Sequence, residues 1–260
     1  MTQAAPTPWQ DLTRWPTTIV TGGGSGIGRA LVSRLRSAGV SVIVIGRSEE
    51  RLAALVRASP GTHVIAADLS NLERLTDLAA RIIAAHPATG CLINNAGVQH
   101  NVRFDAVDYG CDAIASELAS NLAAPLILTR ALLPHLQQQP SACIVNVTSG
   151  LAFAPKRTAA VYSASKAGLH LFSRALRIQL AGTTVRVVEA VMPLVDTPMT
   201  AGRGRRTMAP DSAARQLLDG VCAGRHEVYV GVARFLPLMR RWAPGWLERV
   251  MQAGDGEENR

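Results

Sequence analysis

The stretch Thr17-Thr18-Ile19-Val20-Thr21-Gly22-Gly23-Gly24-Ser25-Gly26-Ile27-Gly28 decides the fold. Its first residues, 17–20, are short-chain, β-branched and apolar, which suits a strand covered on both faces. A glycine-rich turn follows, and the apolar periodicity over 27–38 predicts a helix. Glycines between a strand and a helix let the backbone turn tightly and approach a pyrophosphate seated on the helix N-terminus. The spacing is Gly22-x-x-x-Gly26-x-Gly28, not G-x-G-x-x-G. On this stretch alone, phosphate binding and simple turn-making stand level, because glycine serves any tight turn.

The same alternation continues outward. Strands are expected at 41–45, 63–66, 91–94, 142–148, 185–191 and 228–230, several of them apolar without alternation. Helices are expected at 49–58, 72–85, 114–138, 159–181 and 212–222. Gly39 stops the first helix, and Ser70-Asn71 can cap the third. This order predicts an α/β fold: a doubly wound, Rossmann-type parallel sheet of about seven strands with helices on both faces. With no internal repeat and no linker, 1–260 reads as one domain, with a core over about 16–232 and a C-terminal helical extension over 233–260. Residues 194–211 read as a long binding or lid loop. In the extension, Pro237 and Pro244 are expected to split the chain into short helices.

Composition bounds the rest. The chain has 260 residues, 48% hydrophobic and 18% charged, enough to bury a core and too apolar for disorder. Lys+Arg number 27 against 19 Asp+Glu, a net charge of +8. Such an excess suggests nucleic acid, a membrane surface or an anionic ligand. The basic residues are scattered, densest at Arg203, Arg205, Arg206 and at Arg240, Arg241, with no Lys-rich tail. That argues against nucleic acid. No apolar run approaches the ~20 residues of a membrane span, and the N-terminus lacks a secretory pattern. Cys91, Cys111, Cys143 and Cys222 are far apart with no C-x-x-C pair, so neither a metal site nor a disulfide framework is expected. The expected setting is cytoplasmic.

Two constellations carry chemistry. At the end of the second strand, Val44-Ile45-Gly46-Arg47-Ser48 lacks the carboxylate that binds a ribose 2′-hydroxyl in NAD-binding folds. Arg47 instead offers a planar cation suited to a 2′-phosphate. Further on, Tyr162-Ser163-Ala164-Ser165-Lys166 sets Tyr162 and Lys166 on one helix face. A nearby ammonium favours the phenolate, bringing a group of ordinary pKa ~10 toward acid–base use. Ser149 closes the preceding strand, where α/β ligand sites gather.

Together these residues resemble the short-chain dehydrogenase/reductase family. The likeness runs over about 16–232 in family order: the Thr21-to-Gly28 turn, Asp68-Leu69, Asn94-Asn95-Ala96-Gly97, Asn121, Ser149, and Tyr162 with Lys166. Asn94-Asn95-Ala96-Gly97-Val98-Gln99, Ser149-Gly150-Leu151-Ala152-Phe153 and Pro193-Leu194-Val195-Asp196-Thr197 resemble more closely the DltE-like oxidoreductases of bacteria. The resemblance implies an NADP(H)-dependent oxidoreductase, with NAD(H) the second choice, acting on a small-molecule carbonyl or alcohol. Tyr162 would be the acid/base, Ser149 would hold the substrate oxygen, Lys166 would bind the nicotinamide ribose, and Asn121 would support a proton relay. Gly22, Gly24, Ser25, Gly26, Ile27, Gly28, Arg47, Asp68, Leu69, Asn95, Ala96, Gly97, Pro193, Val195 and Thr197 would join Tyr162 and Lys166 at the cofactor. The family usually has Pro-Gly where this chain has Pro193-Leu194, which adds an apolar side chain near the substrate.

By the same resemblance, Gln99, His100, Leu151, Phe153, Leu194 and Met199 would line the substrate pocket, although a histidine such as His100 is more often a surface or satisfied loop residue than a catalytic one. The protein would form a homodimer or homotetramer. The basic, Trp-containing extension would cover the pocket or pack on another subunit. Peripheral membrane contact is the less favoured use, since the two prolines limit a continuous helix. The alternative to an enzyme is a cofactor sensor or scaffold that keeps the fold without turnover, placed at the cell envelope.

Overall fold

The structure, a computed structural model, describes residues 10–202 and 207–253. Seven strands form one parallel sheet: β1 (Thr17–Thr21), β2 (Ser41–Gly46), β3 (His63–Ala66), β4 (Thr89–Asn94), β5 (Ala142–Ser149), β6 (Val185–Met192) and β7 (Glu227–Tyr229). Their order across the sheet is β3-β2-β1-β4-β5-β6-β7. The direction of winding therefore reverses between β1 and β4, and a crevice opens beyond their carboxyl ends, where such sheets bind ligands. The expected strand positions hold, each end within two residues.

The helices are α1 (Gly26–Ser37), α2 (Glu49–Ala58), α3 (Leu75–Ala85), α4 (Cys111–Leu118), α5 (Ala124–Leu136), α6 (Ala160–Gln179), α7 (Pro210–Cys222), α8 (Leu236–Trp242) and α9 (Pro244–Ala253). Successive strand residues serve opposite faces, as pleating requires. Val20, Val42 and Val44 join Leu31, Leu52 and Leu217 of α1, α2 and α7 in one core. Ile19, Ile43 and Ile45 join Leu78, Leu128 and Leu176 of α3, α5 and α6 in the other. Apolar side chains on both faces explain why these strands show no alternation in sequence.

The helix expected over 114–138 is interrupted. A π-helical turn, Ala119–Ala123, joins α4 to α5 and bears Asn121 at its centre. Such turns insert one residue and re-aim side chains, and they recur at functional sites. By length and composition the run Cys111–Leu136, at mean hydropathy 1.2, would also suit a membrane span. Here Leu128, Leu132 and Leu136 are instead sealed in the core against α3.

The prolines of the C-terminal segment act differently from one another. Pro237 sits in the first turn of α8, where a missing N–H is tolerated, while the chain breaks at Ala243 before Pro244 opens α9. Ala233, Leu236 and Leu247 then pack on Ala154 and Val191 as a third, smaller core.

Candidate active site

The β1–α1 turn is built from glycines because nothing larger fits. Gly22 has φ +68°, and a Cβ there would lie 2.8 Å from Ala96 Cα. A Cβ on Gly28 would lie 2.3 Å from the Gly22 carbonyl oxygen. Close approach thus comes from the turn folding onto itself and onto the chain after β4. Asn95 fastens that approach. Its Nδ2 donates to Thr21 O at 2.9 Å, while Thr21 Oγ1 accepts from the backbone N–H groups of Asn95 and Ala96, both at 3.0 Å.

Asn121 does the same for the next residues. Its Oδ1 accepts from Val98 N and its Nδ2 donates to Val98 O, each at 2.8 Å. Nδ2 also reaches Ser165 Oγ on α6 at 3.3 Å. Asn121 is fully buried, so its side chain clamps the Gly97–Val98 backbone rather than facing the crevice.

Ser149 ends β5, and its Oγ accepts from Leu151 N at 3.2 Å, which leaves the hydroxyl hydrogen to donate elsewhere. Lys166 lies one turn after Tyr162 on α6, with Nζ 5.7 Å from the centre of the Tyr162 ring. That ammonium is buried and donates to Val147 O at 2.9 Å. Burial pushes its pKa down from 10.5 to about 8, so it stays mostly protonated at neutral pH.

At the other end, Asp68 Oδ1 accepts from Ser70 N (2.9 Å) and Ser70 Oγ (2.8 Å). Burial works to raise its pKa, but these bonds and the nearby Arg47 outweigh it and hold the carboxyl below its ordinary value. Next to the strand that ends in Ser149, Glu189 on β6 is fully buried, accepting from Thr148 Oγ1 at 2.6 Å and bonded to His170 Nδ1 at 2.8 Å.

A cavity of about 900 Å³ joins these parts. It runs from Arg47 and Asp68, past Gly22–Gly28 and Asn95–Gly97, to Ser149, Tyr162 and Lys166. Every expected cofactor-side residue lines it, as do Gln99, Leu151, Leu194 and Met199. Two expected pocket residues do not. His100 turns toward Tyr109, with ring centres 5.7 Å apart. Phe153 stacks on His170 at 4.7 Å and on Tyr229 at 6.2 Å, so it serves the small third core. Leu194 takes no left-handed backbone conformation, and its carbonyl accepts from Met208 N at 3.0 Å, so the loop closes without the family's glycine. Arg203, Arg205 and Arg206, expected in a lid, lie outside the described residues.

The sequence reading expected the extension to cover the pocket but named none of its residues as walls, and it gave Arg51 no role. Arg51, one turn along from Arg47, faces the same end. Phe235, Leu236, Met239 and Leu247 close the substrate end. Their signal was helical spacing in the C-terminal segment, but that pattern alone did not say what they faced.

A glycine-turned crevice at a sheet reversal, running to a Ser–Tyr–Lys cluster, defines a dinucleotide-type oxidoreductase fold and site. The sequence model of the short chain dehydrogenase family matches residues 16–207, and the chain belongs to that family. Among its relatives is the "Uncharacterized oxidoreductase DltE" of Bacillus subtilis strain 168, 37% identical over 82% of this chain and 86% of that one. An uncharacterized oxidoreductase of Staphylococcus epidermidis is 32% identical over 71% of this chain and 80% of its own. In structure, a short-chain dehydrogenase of Burkholderia cenocepacia in complex with NADP superposes with a TM-score of 0.80 at 27% identity, over 90% of this chain and 96% of that one. One from Sphingobium yanoikuyae in complex with NADPH gives 0.76 at 26% identity, over 87% and 93%.

Proposed function

We propose that the protein is an NADP(H)-dependent carbonyl reductase or alcohol dehydrogenase with Tyr162 as its acid/base. One observation carries this reading: Ser149, Tyr162 and Lys166 share a single cavity with the glycine turn and Arg47. The cavity suits a dinucleotide: the glycine turn folds tightly onto itself and onto Ala96, and it lines the cavity at the start of α1, where a pyrophosphate can sit on the helix N-terminus. Its far end offers two guanidiniums, Arg47 and Arg51, beside the carboxylates of Glu50 and Asp68, and the residue that directly follows β2 is Arg47 rather than an acid. A 2′-phosphate suits that end, and the NADP- and NADPH-bound relatives support the assignment.

NADP(H), when bound, supplies the hydride. Ser149 donates its hydroxyl hydrogen to the substrate oxygen and fixes it beside Tyr162. Tyr162 gives its phenolic proton to that oxygen during reduction and takes it back during oxidation. The Lys166 ammonium, anchored on Val147 O, favours the phenolate form of Tyr162 and would hold the cofactor with its remaining hydrogens. Asn121 keeps the Gly97–Val98 wall in place. Leu151, Leu194, Met199, Phe235 and Met239 line the substrate end, so an apolar carbonyl compound fits best.

The test is fluorescence titration with NADPH and NADH, followed by a panel of apolar ketones and aldehydes. Tighter NADPH binding and turnover abolished by Tyr162→Phe are expected. NADPH binding with no turnover across the panel, together with an unaltered partner interaction in Tyr162→Phe, would point instead to a cofactor sensor.

A further inference from the structure

The C-terminal segment has two faces, and the site uses only one. Ala233, Leu236 and Leu247 point inward and are 3%, 6% and 2% exposed. The outward face carries Leu238, Trp242 and Trp246, at 60%, 72% and 56% exposure. Two large indole rings in water on neighbouring short helices leave uncompensated apolar area.

This apolar surface is continuous with the mouth of the cavity. Val232 (72% exposed) and Phe235 (46%) are at once exposed and cavity-lining. Across the mouth, Leu194 (40%) and Met199 (36%) are the same. The entrance to the substrate end is thus rimmed by hydrocarbon.

The charges along this segment are mostly positive. Residues 232–249 hold Arg234, Arg240, Arg241 and Arg249 against Glu248 alone. Two of these cations ride on the outward rings: Arg234 lies 4.8 Å over Phe235, and Arg241 lies 5.5 Å over Trp242. Arg240 lies over Phe153 and ties the segment to the body. Another exposed apolar pair, Phe104 and Val107, contrasts with this, since Arg103 there is bonded to Asp105 at 2.8 Å with Asp108 close by in sequence.

Cation and ring interleaved on one face, beside an apolar mouth, match the boundary between phosphate headgroups and acyl chains. A second copy of this face is a poor fit, because it would set like charges together. We propose that residues 232–249 dock the protein on an anionic phospholipid bilayer with the cavity mouth toward the lipid, so that the substrate is a hydrophobic carbonyl or alcohol partitioned into the membrane. The docking stands on the surface alone, and the substrate class rests on the oxidoreductase reading above.

The experiment is co-sedimentation of the full chain with vesicles, one set containing phosphatidylglycerol and one of pure phosphatidylcholine. Binding is expected to the first set, at least about tenfold weaker to the second, and to fade as salt approaches about 0.5 M. The double variants Arg234→Glu/Arg241→Glu and Trp242→Ala/Trp246→Ala should each weaken binding at least about tenfold. Circular dichroism melting and NADPH affinity should not move, since none of the four residues lines the cavity. Wild-type protein that stays in the supernatant of anionic vesicles at low salt overturns the proposal. So do variants that bind like wild type, or a patch whose loss changes only the oligomeric state on a sizing column. Docking without turnover on any carbonyl compound sinks the oxidoreductase reading instead, and turnover without docking sinks this one.

Discussion

Lys166 Nζ donates to the main-chain oxygen of Val147 at 2.9 Å, tying the helix that carries Tyr162 to the strand that carries Ser149. The bond crosses from α6 to β5 inside the protein, with Lys166 only 3% exposed. It fixes the cation without neutralising it, because a carbonyl is a neutral acceptor.

That burial has a measurable cost. With its pKa near 8 when folded and 10.5 as its ordinary value, Lys166 has released a proton in the folded chain that the unfolded chain still holds between those pH values. Its contribution to stability is therefore full above about 10.5 and is lost as pH falls through 8. The span amounts to on the order of 3 kcal/mol. Urea unfolding of wild type and Lys166→Met from pH 7.5 to 10.5 should show wild type gaining on the variant as pH rises. Parallel curves would refute the depressed pKa.

Tyr162→Phe keeps the ring and removes the proton. Turnover should fall by roughly 10²–10⁴-fold, with NADPH affinity held within a factor of about two. Steady-state kinetics beside fluorescence titration separates the two quantities.

Arg47→Asp places a carboxylate where a 2′-phosphate is expected and sets it near Asp68, which Arg47 now stabilises. The Kd for NADPH should rise at least about tenfold, the scale of losing a charge-assisted hydrogen bond, while NADH binding holds or tightens. Equal ratios before and after would remove Arg47 from the phosphate site.

Gly28→Ala brings a methyl group to 2.3 Å from Gly22 O and 2.6 Å from Asn95 Nδ2. The turn must open and the Asn95 clamp must break. A loss of about 1–3 kcal/mol in stability is expected, together with weakened NADPH binding. Thermal melts and titration check both.

Glu189→Ala removes the carboxylate shared by Thr148 and His170. Leaving a buried hydrogen-bonding group without its partner costs about 1–3 kcal/mol, which for a chain this size lowers Tm by roughly 2–4 °C per kcal/mol. Glu189→Gln keeps an acceptor for Thr148 and should recover part of it.

The glycine turn, the strands and the Tyr162–Lys166 spacing were legible because they are local. A strand buried on both faces announces itself by its apolar run, and positions i and i+4 share a helix face wherever the helix lies. Other residues depended on partners distant in the chain. His100 follows the Asn94–Gly97 motif by three residues and Phe153 follows Ser149 by four, yet their rings turn toward Tyr109 and toward His170 and Tyr229. Asn121 owes its position to a π-turn that no periodicity announced, stabilised by bonds to Val98 and Ser165.

The sequence by itself determined the alternating strands and helices of a parallel sheet, the glycine turn and the Tyr162–Lys166 spacing, since each follows from hydrophobic period, turn chemistry and spacing within a few residues. Only the tertiary structure decided that Arg51 joins Arg47 and that the C-terminal segment closes the substrate end with one face while leaving Trp242 and Trp246 outside. The physical reason is that an amphipathic pattern fixes which side chains share a face, whereas what that face meets is set by packing against residues a hundred positions away.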